Sequence, residues 1–108
     1  MDITDIGTII ATRVLTLAAT KTVTISIGTP TAYPDGNDFY CPYQIVGIGS
    51  GQIRYASGVD SFQALYLAMK KIGADINTSS EAKSGDLTWL GNRDLGFPVP
   101  LGFSVPPS

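Results

Sequence analysis

Residues 39–73 read FYCPYQIVGIGSGQIRYASGVDSFQALYLAMKKIG, and this stretch decides the fold. It divides into a strand from Phe39 to Val46, a glycine-rich turn over Gly47–Gly51, a strand from Gln52 to Ala56 and a capped helix. The glycines supply the positive φ that a tight hairpin turn needs. They also superficially resemble a phosphate loop, but such a loop leads from a strand into a helix whose N-terminus receives the anion. Here the glycines lead into another strand, so the hairpin turn is preferred. Pro42 lacks an N–H and must sit at an edge, at a bulge or on a non-bonded side. In the second strand Ile53 and Tyr55 share one face and Arg54 takes the other.

Asp60 is the expected N-cap of the helix, with Gln63 at the capping-box spacing and Val59 placed to staple the first turn. Phe62, Leu65, Ala68, Met69 and Ile72 recur at helical spacing and predict one apolar stripe, broadened by Tyr66 and Leu67. Lys70 and Lys71 fall in the last turn, where the dipole favours cations, and Gly73 is the expected residue beyond the C-terminus. The helix then runs Ser61–Ile72, about 12 residues, near the mean for globular proteins. Its stripe is expected to cover Ile25, Ile45 and Ile53.

Upstream, Ile9–Leu17 carries apolar groups on both faces, as a central or partner-meeting strand does. Thr22–Ile27 alternates, with Val23, Ile25 and Ile27 inward, and the two segments predict a hairpin. Thr29–Asp38 holds two prolines and a Pro-Asp-Gly turn, a loop of the kind that carries binding groups. Downstream, residues 77–85 are rich in Ser, Asn and Lys and read as a loop. Asp86–Leu90 suits a short strand or turn. Four of the seven prolines lie from Pro98 onward, so the tail is neither helix nor central strand and suits extension against an apolar groove. The expectation is an α+β domain spanning 1–108: an antiparallel sheet of four or more strands with one main helix packed on one face, in the order ββββα. The core lies at about 9–76 and an irregular Pro-rich extension covers 77–108.

Composition narrows the function classes. At 108 residues the chain is long enough to bury a core without metal or disulfide help. Charged residues are 15%, well under the usual quarter, which marks a surface meant to be covered; a homodimer is the plain explanation. Net charge is −2 and Lys70-Lys71 is the densest basic pair, which argues against nucleic-acid binding. Met1–Asp5 lacks the pattern of a signal peptide and no apolar run approaches a membrane span, so the cytoplasm is expected. The single cysteine, Cys41, excludes an internal disulfide. The absence of histidine removes Ser-His and Cys-His pairs, the commonest general base and most zinc sites.

The remaining candidate sites each have a structural explanation. Cys41 has no histidine to activate it and reads as a small buried strand residue. Asp35 and Asp38 are two carboxylates without a third ligand and read as turn residues. Asp60, Glu81, Asp86 and Asp94 have no reason in the sequence to pair for acid–base work. The aromatics are more informative as a set, because several fall on loops or strand ends where not all can be core, unless the Pro-rich tail folds back and buries them. The interface candidates are Tyr33, Tyr40, Tyr43, Tyr55, Trp89 and Phe97, with Arg54 and Arg93 as polar anchors. No catalytic residue, cofactor or metal is expected.

Tyr40-Cys-Pro-Tyr-Gln-Ile45, Gly58-Val-Asp-Ser-Phe-Gln-Ala-Leu65, Ile72-Gly-Ala-Asp75 and Asp94-Leu-Gly-Phe-Pro98 together resemble a family of small bacterial single-domain proteins of unknown function. The resemblance covers much of residues 9–98. It implies a bacterial origin and a stand-alone fold, and carries over no activity, cofactor or site residue. The expected function is a non-catalytic protein-interaction or regulatory module, immunity-like by analogy, with a protein partner or itself as partner. The competing expectation is a small-ligand-binding domain or enzyme using the 29–38 loop and the aromatic C-terminal segment.

Overall fold

The structure, a computed structural model, describes residues 3–99. The expectations for the tail beyond Val99 lie outside the described residues. Eight elements follow one another: β1 (Ile9–Leu17), β2 (Lys21–Gly28), β3 (Thr31–Ala32), β4 (Phe39–Val46), β5 (Arg54–Gly58), α1 (Ser61–Asn77), α2 (Ser80–Lys83) and β6 (Leu87–Thr88). The six strands form one antiparallel sheet in the order β3-β4-β2-β1-β6, with β5 on the other edge of β4. The expected α+β architecture holds, with α1 packed across one face against β4 and β5.

The β1–β2 hairpin closes through Ala18–Thr20, and both alanines take positive φ (52° and 65°), a conformation that disfavours a Cβ. Arg13 faces Ile25 and Leu15 faces Val23 across this hairpin. Cross-strand partners share a face, so the odd residues of β1 from Ala11 onward look toward the helix and Thr12, Val14 and Thr16 look away. A register shift between Ile9 and Ala11 turns Ile9, paired with Gly28, to the outer side as well. The helix-side core is Leu15, Val23, Ile25, Ile27, Cys41 and Tyr43, joined by Ile72 and Ile76 of the helix. Leu87 and Leu95, from the segment expected to be an extension, are buried in the same core.

The second hairpin differs from its sequence reading. Strand β5 begins at Arg54, and Ile53 belongs to the preceding loop. Ala56 and Gly58, not Tyr55, lie buried under the helix. The physical reason is clearance: a Cβ at Gly58 would collide with the backbone of Ala64, so small residues alternate where α1 crosses closest.

The helix is 17 residues long, not 12. Asp60 caps it as expected, accepting from the Gln63 N–H at 2.8 Å, while the Gln63 side chain accepts from the Val59 N–H at 2.8 Å. The other end lies beyond the expected Ile72 because Gly73 is not a cap. It lies inside the helix, and a Cβ there would overlap the Pro98 carbonyl. Glycine is kept for close approach of the chain at Pro98, not for a left-handed turn. The longer helix puts Lys70 and Lys71 in its middle. Lys71 reaches over the free edge of β5 to donate to the Tyr55 carbonyl at 2.9 Å, which blunts that edge.

The apolar stripe is also rotated. Ala64, Ala68, Ile72 and Ile76 form the buried row, with Leu65 half-buried beside it. Phe62 and Met69 point outward, and Val59 is exposed instead of stapling the first turn. Small alanines bring the helix close to the sheet, and no room remains for the larger side chains on that side. Residues 80–83, read as loop, form the short helix α2, capped by Ser79, whose Oγ accepts from the Ala82 N–H at 3.2 Å.

Candidate functional site

The interface candidates fall in separate places. Tyr33, Tyr40 and Tyr55 meet on the outer face of the sheet. The Tyr33 and Tyr40 rings are 5.2 Å apart, Tyr40 and Tyr55 are 6.4 Å apart in an edge-to-face arrangement, and the Tyr33 and Ser57 hydroxyls are hydrogen-bonded. Register explains the gathering: Tyr40 faces Ser57, and Tyr55 faces Pro42, so all occupy one side of β4–β5. Tyr43 lies on the opposite side, 1% exposed, and its ring belongs to the core.

Trp89 and Phe97 gather around Arg13. The guanidinium lies 3.8 Å from the Trp89 ring centroid and 4.7 Å from that of Phe97. Its Nη1 donates to the carbonyls of Leu95 and Gly96 at 3.1 and 3.0 Å. This clamp fixes the final described segment onto β1. Arg93 is apart from it; its Nη2 donates to the Lys83 carbonyl at 3.3 Å, and its Nε is buried without a partner among the described residues.

One polar cluster has the composition of a site. Tyr43 and Arg54 are cross-strand neighbours on the helix side of β4–β5. Asp75 follows Ile72 by three residues, so it lies on the sheet-facing flank of α1. Tyr43 Oη donates to Asp75 Oδ2 at 2.8 Å and Arg54 Nη1 donates to the same oxygen at 3.0 Å. Burial, reinforced by the hydrogen bond to Asp75, pushes the Tyr43 phenol well above its ordinary range, so it stays protonated as a donor. The Arg54–Asp75 pair is 62% and 30% exposed, and such a pair contributes at most about 1 kcal/mol to stability. The sequence does not single out Asp75, because a helix ending at Ile72 leaves it outside the element that aims it.

These three residues line a cleft of about 330 Å³ between the β4–β5 loop and the C-terminal end of α1. Ile45 and Ile48 form its apolar side, and Glu81 is also in its lining. Gly47, Gly49 and Gly51 all take positive φ, the conformation of the expected turn, and Gln44 Nε2 fastens the loop by donating to the Gly51 carbonyl at 2.8 Å. The 29–38 loop and the C-terminal aromatics line neither this cleft nor the shallower groove between β5 and α1. Asp35 and Asp38 serve the turn: Asp35 Oδ1 accepts from the Asn37 N–H and the Asp38 carbonyl from the Tyr33 N–H. Among the described residues no group of three or more His, Cys, Asp or Glu side chains is placed to hold a metal ion.

Cys41 is fully buried, its Sγ donating to the Gly28 carbonyl at 3.5 Å. Burial pushes the thiol up to about 11, against 9.0 when unfolded. A folded value above the unfolded one gives a stabilising contribution that is complete below pH 9 and lost as pH rises through 11. At about 1.4 kcal/mol per unit, stability is expected to fall by roughly 2–3 kcal/mol over that window, with Tyr43 adding to the loss above pH 10. Urea unfolding at pH 8, 9.5 and 11 checks this, and Cys41→Ala is expected to show the smaller fall. At pH 8 the native thiol is expected to resist a disulfide reagent that labels the unfolded chain at once.

Among the described residues no helix is long and apolar enough to cross a membrane. A family model, Domain of unknown function (DUF6968), matches residues 11–99. No curated protein and no solved structure matches the chain.

Proposed function

We propose that this chain, which belongs to the DUF6968 family, is a non-catalytic interaction module that pairs with a second copy of itself through the outward side of α1. One observation carries the reading: Phe62, Tyr66 and Met69 recur along that side and are 82%, 58% and 36% exposed. Spacing of three and four residues puts them in one line. Large apolar side chains in a row, on a chain with few charges, are what a covered surface requires.

The line also has the symmetry of a self-pairing surface. In a two-fold antiparallel helix pair centred between Leu65 and Tyr66, Phe62 meets Met69 of the partner subunit and Tyr66 meets Leu65 of the partner subunit. Three side chains are far fewer than the roughly 20–30 residues a side of a stable complex, so the pairing is weak and concentration-dependent.

Size-exclusion chromatography with light scattering from about 10 μM to 1 mM tests the reading. A monomer–dimer equilibrium is expected, and Phe62→Glu with Tyr66→Glu is expected to weaken it at least about tenfold without changing the far-ultraviolet circular dichroism. A strict monomer at the highest concentration overturns it.

A further inference from the structure

We infer that the cleft between the β4–β5 loop and the C-terminal end of α1 is a binding site for a small zwitterion, an α-amino acid with an aliphatic side chain. Its volume, about 330 Å³, lies at the small end of the range for small-molecule sites, about 300–1,000 Å³. Its charges are of both signs and adjacent. Arg54 and Asp75 stand 3.0 Å apart, which mirrors the neighbouring carboxylate and ammonium of an α-amino acid.

The two halves of the ligand have different partners. Only Nη1 of Arg54 is engaged with Asp75, and the exposed remainder of its fork suits a carboxylate. Asp75 and Glu81 against Arg54 leave the lining at −1, which an ammonium group balances. The C-terminal end of α1 adds the negative end of a helix dipole at the same place. With only two carboxylates present, the arrangement suits an organic cation better than a metal ion, whose sites need more oxygen ligands. Ile45 and Ile48 offer the apolar wall for the side chain.

The buried partners keep the site in shape without a ligand. Tyr43 anchors Asp75 from below, and Gln44 holds the loop at Gly51. The site lies apart from Phe62 and Tyr66, so it stands or falls independently of self-pairing.

Titration of the ¹⁵N-labelled chain with L-leucine, L-leucine methyl ester and N-acetyl-L-leucine, each to about 10 mM, tests the inference. L-Leucine is expected to give saturable amide shifts concentrated at Gly49, Gly51, Arg54 and Asp75. The ester lacks the carboxylate and the acetyl derivative lacks the ammonium, and each is expected to bind at least about tenfold more weakly. Arg54→Gln and Asp75→Asn are expected to remove the L-leucine shifts while the rest of the spectrum stays folded. Absence of shifts with L-leucine, equal shifts with all three compounds, or retention of binding in both variants overturns it.

Discussion

Ile72→Ala is expected to cost about 2–5 kcal/mol of stability, whereas Phe62→Ala, ten residues earlier on the same helix, is expected to change it by less than about 0.5 kcal/mol. Ile72 is fully buried at the centre of the helix–sheet contact, and its truncation leaves a cavity that close-packed neighbours cannot fill. Phe62 is 82% exposed and loses almost nothing. Urea unfolding at low micromolar protein, where self-pairing does not contribute, gives both numbers. Equal losses for the two variants would show that the buried row is not Ala64, Ala68, Ile72 and Ile76. Leu65→Asp belongs to the same argument: half-buried beside that row, it too is expected to unfold the domain.

Arg13→Ala is the second large effect, expected at about 2–4 kcal/mol. The guanidinium stacks between Trp89 and Phe97 and bonds two carbonyls, so its loss frees the whole 89–97 segment at once. Trp89 is the chain's single tryptophan, which makes its emission a direct readout: a red shift is expected in the variant under native conditions. Limited proteolysis is expected to nick the variant beyond Ser84 first. Arg13→Lys keeps the charge but loses the planar stack, and is expected to fall between the two. Unchanged emission together with a loss under about 0.5 kcal/mol would mean that apolar packing at Leu87 and Leu95 holds the segment alone.

The sequence carried the hairpins, the helix start and the overall class because these rest on local rules. Alternation at Val23, Ile25 and Ile27, the Asp60–Gln63 cap and the Gly47–Gly51 turn all act within a few residues of themselves. What misled was long-range. Gly73 has the look of a helix end, and only the approach of Pro98 explains a glycine inside the helix. The rotation of the helix follows from Ala56 and Gly58 on a strand that the helix crosses, which hydrophobic periodicity alone does not register. Large apolar residues at Phe62 and Met69 dominated the periodicity although small alanines formed the contact.

The candidate site was legible in halves. Tyr43 and Arg54 stand out in the sequence as aromatic and polar anchors, but their partner Asp75 requires the helix to continue to Asn77. Arg13 carries its own local signal: a lone charge on the inward parity of a strand, between Ala11 and Leu15, must find partners on that side. The aromatics divided between three places because strand parity, not aromatic character, decides which face each one takes.

The Arg13 clamp joins positions 82 and 83 residues apart in the chain. During synthesis, at about 5–20 residues per second, β1 and β2 leave the ribosome several seconds before Leu95 and Gly96 exist. The nascent protein therefore carries an inward-facing guanidinium without its acceptors until Leu95 and Gly96 have been made. Closure of this long loop is expected to come late, after the hairpin and helix have docked, and a chain stalled short of Gly96 would remain open at that seam.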